Sequence, residues 1–158
     1  MASTLELLRR LSAENVDYVL VGGMAAIAHG SSTVTEDVDV CIRFDLPTLS
    51  GLFRALDGTH PRERMNPARP PLGTPEQFVG YRNLYLVTDE GVLDLLGEIL
   101  TIGDFEAVAK HAIEMDLGGF RCRVLGLDDL IRCKRALGRP KDLNAADELE
   151  RVRQKLNP

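Results

Sequence analysis

Tryptophan is missing from the 158 residues, and aromatic side chains make up only 5% of them, so there is little on which nucleic-acid bases could stack. An excess of positive charge is missing too. Nineteen Lys and Arg stand against 24 Asp and Glu, for a net charge of −5. That balance excludes a generic nucleic-acid coat while leaving room for a local basic face. Cysteine is sparse: Cys41, Cys122 and Cys133 are odd in number, far apart and without C-x-x-C spacing, which argues against zinc or redox motifs and for a reducing compartment. No apolar run approaches the ~18 residues that a membrane span needs, and the N-terminus reads as an amphipathic helix rather than a signal peptide. A cytoplasmic protein with no membrane partner is expected. With no internal repeat and no long linker, residues 1–158 are expected to form a single domain around one core.

What is present reads as alternating strands and helices. Ser3 followed by Glu6 forms a capping box, and Leu5, Leu8 and Leu11 recur at helical spacing, predicting a helix over residues 4–13. "DYVLVGG" is a short strand closed by glycines, and "MAAIAHG" a short helix ended by Gly30, giving strand, Gly-Gly turn, helix. "VDVCIRF" is a second strand. Asp45 and Pro47 then fit the cap and first turn of a helix through Leu56, stopped by Gly58. Between Thr59 and Pro75 five prolines leave no room for a regular element, so a long loop is expected, carrying Arg62, Arg64 and Arg69 against Glu63. "NLYLVTDEGVLDLLGEI" suggests a hairpin around Asp89-Glu90-Gly91. A helix from Phe105 to Met115, a strand "FRCRVLG" and two closing helices joined at "RPKD" complete the chain. The expected fold class is α+β, a two-layer mixed β-sheet covered by helices.

The chemistry concentrates in "VLVGGMAAIAHGSSTVTEDVDVCIRF". On a strand, Asp37 and Asp39 project from one face while Val38 and Val40 face the core. Two adjacent carboxylates repel one another and raise each other's proton affinity, an arrangement that a divalent cation resolves. Carboxylate oxygens suit magnesium, which keeps waters and takes further oxygens from substrate phosphates. Taken alone, such a pair reads first as solvated acids on an open sheet face. Upstream, Gly22 and Gly23 end a strand and open a helix, where backbone can approach closely and free N–H groups favour an anion.

Gly22-Gly23, thirteen intervening residues, then Asp37-Val38-Asp39 among apolar neighbours resembles the signature of the polymerase-β-like nucleotidyltransferase superfamily. "HGSSTVTEDVDV" and "LDDLIRCKRALGRPKDL" are further similar to minimal nucleotidyltransferases related to abortive-infection and toxin–antitoxin systems. The resemblance covers Val16 to Leu149. It implies transfer of a nucleoside monophosphate from a nucleoside triphosphate such as ATP to a hydroxyl on RNA (tRNA, for instance) or protein, with two Mg2+ ions. It further implies a third acid on a neighbouring strand. Asp94 in "GVLDLLGEI" fits that role, with Asp89 and Glu98 as competitors. Asp37, Asp39 and Asp94 are then the expected catalytic and metal-holding residues, Asp94 also accepting the proton of the attacking hydroxyl. Gly22, Gly23, Thr35, Lys134 and Arg139 are expected at the nucleotide, Lys134 as a point charge and Arg139 as a fork on the phosphates.

Two positions depart from the resemblance: Thr33 stands where many relatives carry arginine, and Ala145 where they carry aspartate, with Asp147 nearby. His29, at a helix end, is expected to pack or cap, whereas His60 and His111 have no ligand-like spacing. The arginines of the proline-rich segment could touch an RNA or protein acceptor, or simply be solvated. A cognate toxin or antitoxin protein is a further expected partner. The alternatives are a nucleotide-binding antitoxin or scaffold without turnover and a magnesium-dependent phosphohydrolase.

Overall fold

Leu7, Leu8 and Leu11 are completely buried along one side of helix α1 (Ala2–Ala13), which packs against the middle of a sheet. The computed structural model describes residues 2–157, with side chains from 4 to 157. The expected capping box at Ser3 therefore rests on a side chain outside the described residues. The chain continues through β1 (Val19–Val21), α2 (Gly22–Ala28), β2 (Asp37–Cys41), α3 (Leu46–Ala55), β3 (Arg62–Glu63), β4 (Asn83–Thr88) and β5 (Gly91–Leu96). It closes with β6 (Glu98–Ile99), β7 (Gly103–Asp104), α4 (Phe105–Lys110), β8 (Ala112–Asp116), β9 (Arg121–Leu125), α5 (Leu127–Leu137) and α6 (Pro140–Leu156). The N-terminus of α3 is capped as expected, the Asp45 carboxylate accepting from the Thr48 N–H at 3.0 Å.

Seven of the described strands form one mixed sheet in the order β3-β4-β5-β2-β1-β9-β8. The β2–β5 and β1–β9 pairs are parallel and the others antiparallel. This is the mixed-sheet α+β architecture expected from the pattern. Register pairs Val38 with Leu93 and Val40 with Leu95, and all four are fully buried. Because a strand alternates faces, that register also sets Asp37, Asp39 and Asp94 on the opposite side, Asp39 directly beside Asp94.

Three local expectations need correction. Gly22 and Gly23 are the first residues of α2 rather than a turn before it. The helix expected over 105–115 stops at Lys110, because Ala112–Asp116 pairs antiparallel with β9 along its whole length and that pairing overrides local helical spacing. The proline-rich segment is not structureless: Arg62 and Glu63 form β3, hydrogen-bonded to β4 at the sheet edge, where a neighbouring proline breaks no central ladder. A 3₁₀ turn over Pro75–Phe78 and the small β6–β7 ribbon were not foreseen either. Among the described residues no helix is long and apolar enough to cross a membrane.

Candidate active site

Gly22 adopts a left-handed φ of +67°. A methyl group on its α-carbon would stand 2.1 Å from Asp39 Oδ2, so only glycine lets the carboxylate rest against the backbone at the start of α2. Its neighbour is confined differently. A Cβ at Gly23 would lie 3.1 Å from Thr35 Cγ2, and the Thr35 hydroxyl accepts from the Asp37 N–H at 3.3 Å. The glycine pair thus admits Asp39 on one side and the threonine that braces the start of β2 on the other.

Asp39 is flanked by register partners Val21 on β1 and Asp94 on β5, and Asp94 in turn by Tyr85 on β4. Burial, reinforced by the charges of Asp94 and Asp37 and opposed by Lys134, pushes the Asp39 carboxyl up to about 6. Asp94 keeps 15% of its side-chain surface and is held by Arg64, whose Nη2 donates to Oδ1 at 2.8 Å. Asp37 is exposed, two residues along the same face.

A cavity of about 390 Å3 opens over this pair. Gly22, Asp39, Asp94, Lys134 and Arg139 all line it, together with an apolar wall that includes Leu96, Leu125 and Leu130. Asp37, Gly23 and Thr35 do not line it. A larger hollow of about 560 Å3 lies beyond the end of β2 around Arg43 and Phe105, but Arg43 is already paired with Asp17 and Glu106. Glu98 and Asp104, register partners on β6 and β7, also line it, but both are exposed, and Asp104 caps α4 by accepting from the Ala107 N–H at 3.1 Å.

Lys134 and Arg139 owe their placement to a residue the sequence reading assigned no role. Asp142 is 2% exposed at the start of α6 and forms ion pairs with Lys134 Nζ at 3.8 Å and Arg139 Nε at 2.5 Å. A buried acid between a cation on α5 and one at the junction before α6 ties both to the cavity wall. The "RPKD" junction was its available signal. Glu148 is a second unforeseen residue: it accepts from the hydroxyls of Ser31 and Ser32 and from the Ser32 N–H, tying the loop between α2 and β2 to α6. Its neighbour Asp147, the candidate to replace an acid at Ala145, is exposed. The Thr33 N–H donates to the Ser31 hydroxyl at 3.1 Å.

Of the competitors to Asp94, Asp89 sits in the hairpin turn bonded to His60 at 2.6 Å, and Glu98 lines the cavity but is exposed. His111 pairs with Asp129. His29 packs at the end of α2 with Nε2 2.8 Å from the Leu125 carbonyl oxygen.

Among the described residues no three His, Cys, Asp or Glu side chains stand close enough together to hold a metal ion as placed. The Asp39–Asp94 pair nevertheless fits the donor set of Mg2+, which takes one or two carboxylates and completes its shell with waters and phosphate oxygens.

No protein-family model matches the chain, and no curated protein matches it. Among solved structures it is similar to a protein from Thermotoga maritima described as a "putative nucleotidyltransferase", at a TM-score of 0.55 and 18% identity, across 96% of this chain and 88% of that one. At this identity the likeness shows the fold: the chain has a nucleotidyltransferase fold.

Proposed function

We propose that the protein is a magnesium-dependent nucleotidyltransferase that moves a nucleoside monophosphate from a nucleoside triphosphate to a hydroxyl acceptor. One observation carries this reading: the Asp39–Asp94 pair, with Asp39 seated against Gly22, shares a single cavity with Lys134 and Arg139. Paired acids opposite paired cations suit a ligand that brings both metal and polyphosphate.

In this reading Asp39 and Asp94 hold Mg2+, with Asp37 joining from the exposed end of β2. When bound, the metal supplies Lewis-acid neutralisation of charge on the α-phosphate. Lys134 and Arg139 bind the β- and γ-phosphates, and Asp142 keeps both cations aimed. Gly22 lets the backbone approach the phosphates, while Gly23 and Thr35 set the start of β2. Asp94 accepts the proton of the acceptor hydroxyl as its oxygen bonds to the α-phosphorus and pyrophosphate leaves. The chain's contribution is chiefly positioning and electrostatics. RNA and protein hydroxyls are both acceptors to be tried, as is a cognate toxin or antitoxin partner.

Incubation with each α-labelled nucleoside triphosphate, Mg2+, total tRNA and candidate protein acceptors tests the proposal. Label on an acceptor that disappears in Asp37→Asn and Asp39→Asn, with the fold intact, supports it. Undiminished labelling by both variants defeats it.

A second reading, a nucleotide-binding scaffold or antitoxin without turnover, is favoured by the Arg64–Asp94 ion pair, which occupies the proposed base. Calorimetry with nucleotide and Mg2+, followed by a pyrophosphate-release assay, separates the two. Binding without release in the presence of acceptors favours the scaffold.

A further inference from the structure

Asp94 already carries a cation supplied by the chain itself. The Arg64 backbone is fixed at the end of β3 by its N–H bond to the Tyr85 carbonyl at 2.8 Å. From there the side chain reaches across β4, its guanidinium carbon 5.4 Å from the centre of the Tyr85 ring, and meets Asp94 from the side opposite Asp39. The Arg64 side chain is 34% exposed, and its charge lies within the field of Asp37 and Asp39 as well as Asp94.

The pairing is incomplete. Only Nη2 is bonded to the carboxylate, whereas a guanidinium can offer two parallel donors, and the buried Nε–H has no acceptor. A buried donor without a partner is unfavourable. Arg64 is therefore held mainly by the negative charge of the acids, and a competitor of higher charge would displace it.

We propose that Arg64 is the resident counter-cation of the carboxylate pair, occupying Asp94 until a divalent ion displaces it, and so sets the affinity of the site for metal. The inference rests on the reading that Asp39 and Asp94 form the metal seat. Arg64 acts through Asp94 and is a positioning residue. Its presence also offsets the repulsion between two acids sitting side by side on adjacent strands, because one of them is paired in place.

The test is titration of the full chain with Mn2+ alone, without nucleotide, following the free-ion signal by electron paramagnetic resonance. Arg64→Met removes the charge at similar length and is expected to tighten Mn2+ binding by about tenfold or more, since a unit positive charge near a divalent site is lost. Arg64→Lys retains the charge and is expected to stay near the native affinity, a rescue that loss of packing alone would not produce. Adding Asp94→Asn to Arg64→Met should abolish the gain. Should Arg64→Met fail to fold, as judged by circular dichroism, Arg64→Gln is measured in its place. Equal binding by the native chain and the uncharged variant overturns the role of Arg64 and leaves the metal seat standing. Absence of binding by both, up to millimolar Mn2+, overturns the seat and this inference with it.

Discussion

Replacing Asp39 with asparagine should make the metal-free protein more stable while destroying the proposed activity. The carboxyl is shifted from 3.8 to about 6, chiefly by burial and then by Asp94 and Asp37. A carboxylate whose folded pKa is raised weakens the fold once it must ionise, so the penalty is absent below the unfolded pKa and complete above the folded one. At about 1.4 kcal/mol per pH unit, the two-unit shift corresponds to a cost on the order of 3 kcal/mol at pH 8. The cost falls to roughly half that at pH 5 and to a few tenths of a kcal/mol near pH 4. Asparagine keeps the shape that fits against Gly22, carries no charge, and can donate to Asp94. For a chain of this length, Asp39→Asn should therefore raise Tm by roughly 6 °C or more at pH 8 in chelator. Thermal unfolding followed by circular dichroism across pH 4–8 measures this directly. An increment of equal size at pH 5 and pH 8, or none at pH 8, would refute the argument that Asp39 is a partly buried acid whose ionisation the fold disfavours. Adding Mg2+ with nucleotide should stabilise the native chain and leave the variant unmoved.

Gly22→Ala should cost about 1–3 kcal/mol from backbone strain alone, and more from the clash with Asp39. Gly58→Ala is the control, because its φ of +82° carries similar strain with nothing within 4 Å, and equal Tm losses for the two would contradict the contact. Asp142→Asn leaves Lys134, 15% exposed, without its counter-ion, so a stability loss of about 1–3 kcal/mol and a several-fold rise in KM for nucleotide are expected. An unchanged KM would separate Asp142 from substrate binding. Glu148→Ala should remove the exchange protection of the Ser32 amide, which donates to Glu148 at 3.1 Å, and hydrogen exchange with mass spectrometry reads this out.

Much of this protein is written locally. Alternation fixes which side of β2 and β5 is apolar, so Val38, Val40, Leu93 and Leu95 could be assigned to the core, and Asp37, Asp39 and Asp94 to the other face, from spacing alone. The Asp45 cap, the hairpin at 89–91 and the paired closing helices were likewise legible, because each depends on residues a few positions apart. The shortened α4, the strand at Arg62–Glu63 and the grip of Glu148 on Ser31 and Ser32 were not legible, since each is decided by a partner distant in the chain. Most consequential is the pairing of Arg64 with Asp94, 30 residues apart, which no local pattern announces. Periodicity tells a side chain which way to face; only the assembled sheet decides what it meets there.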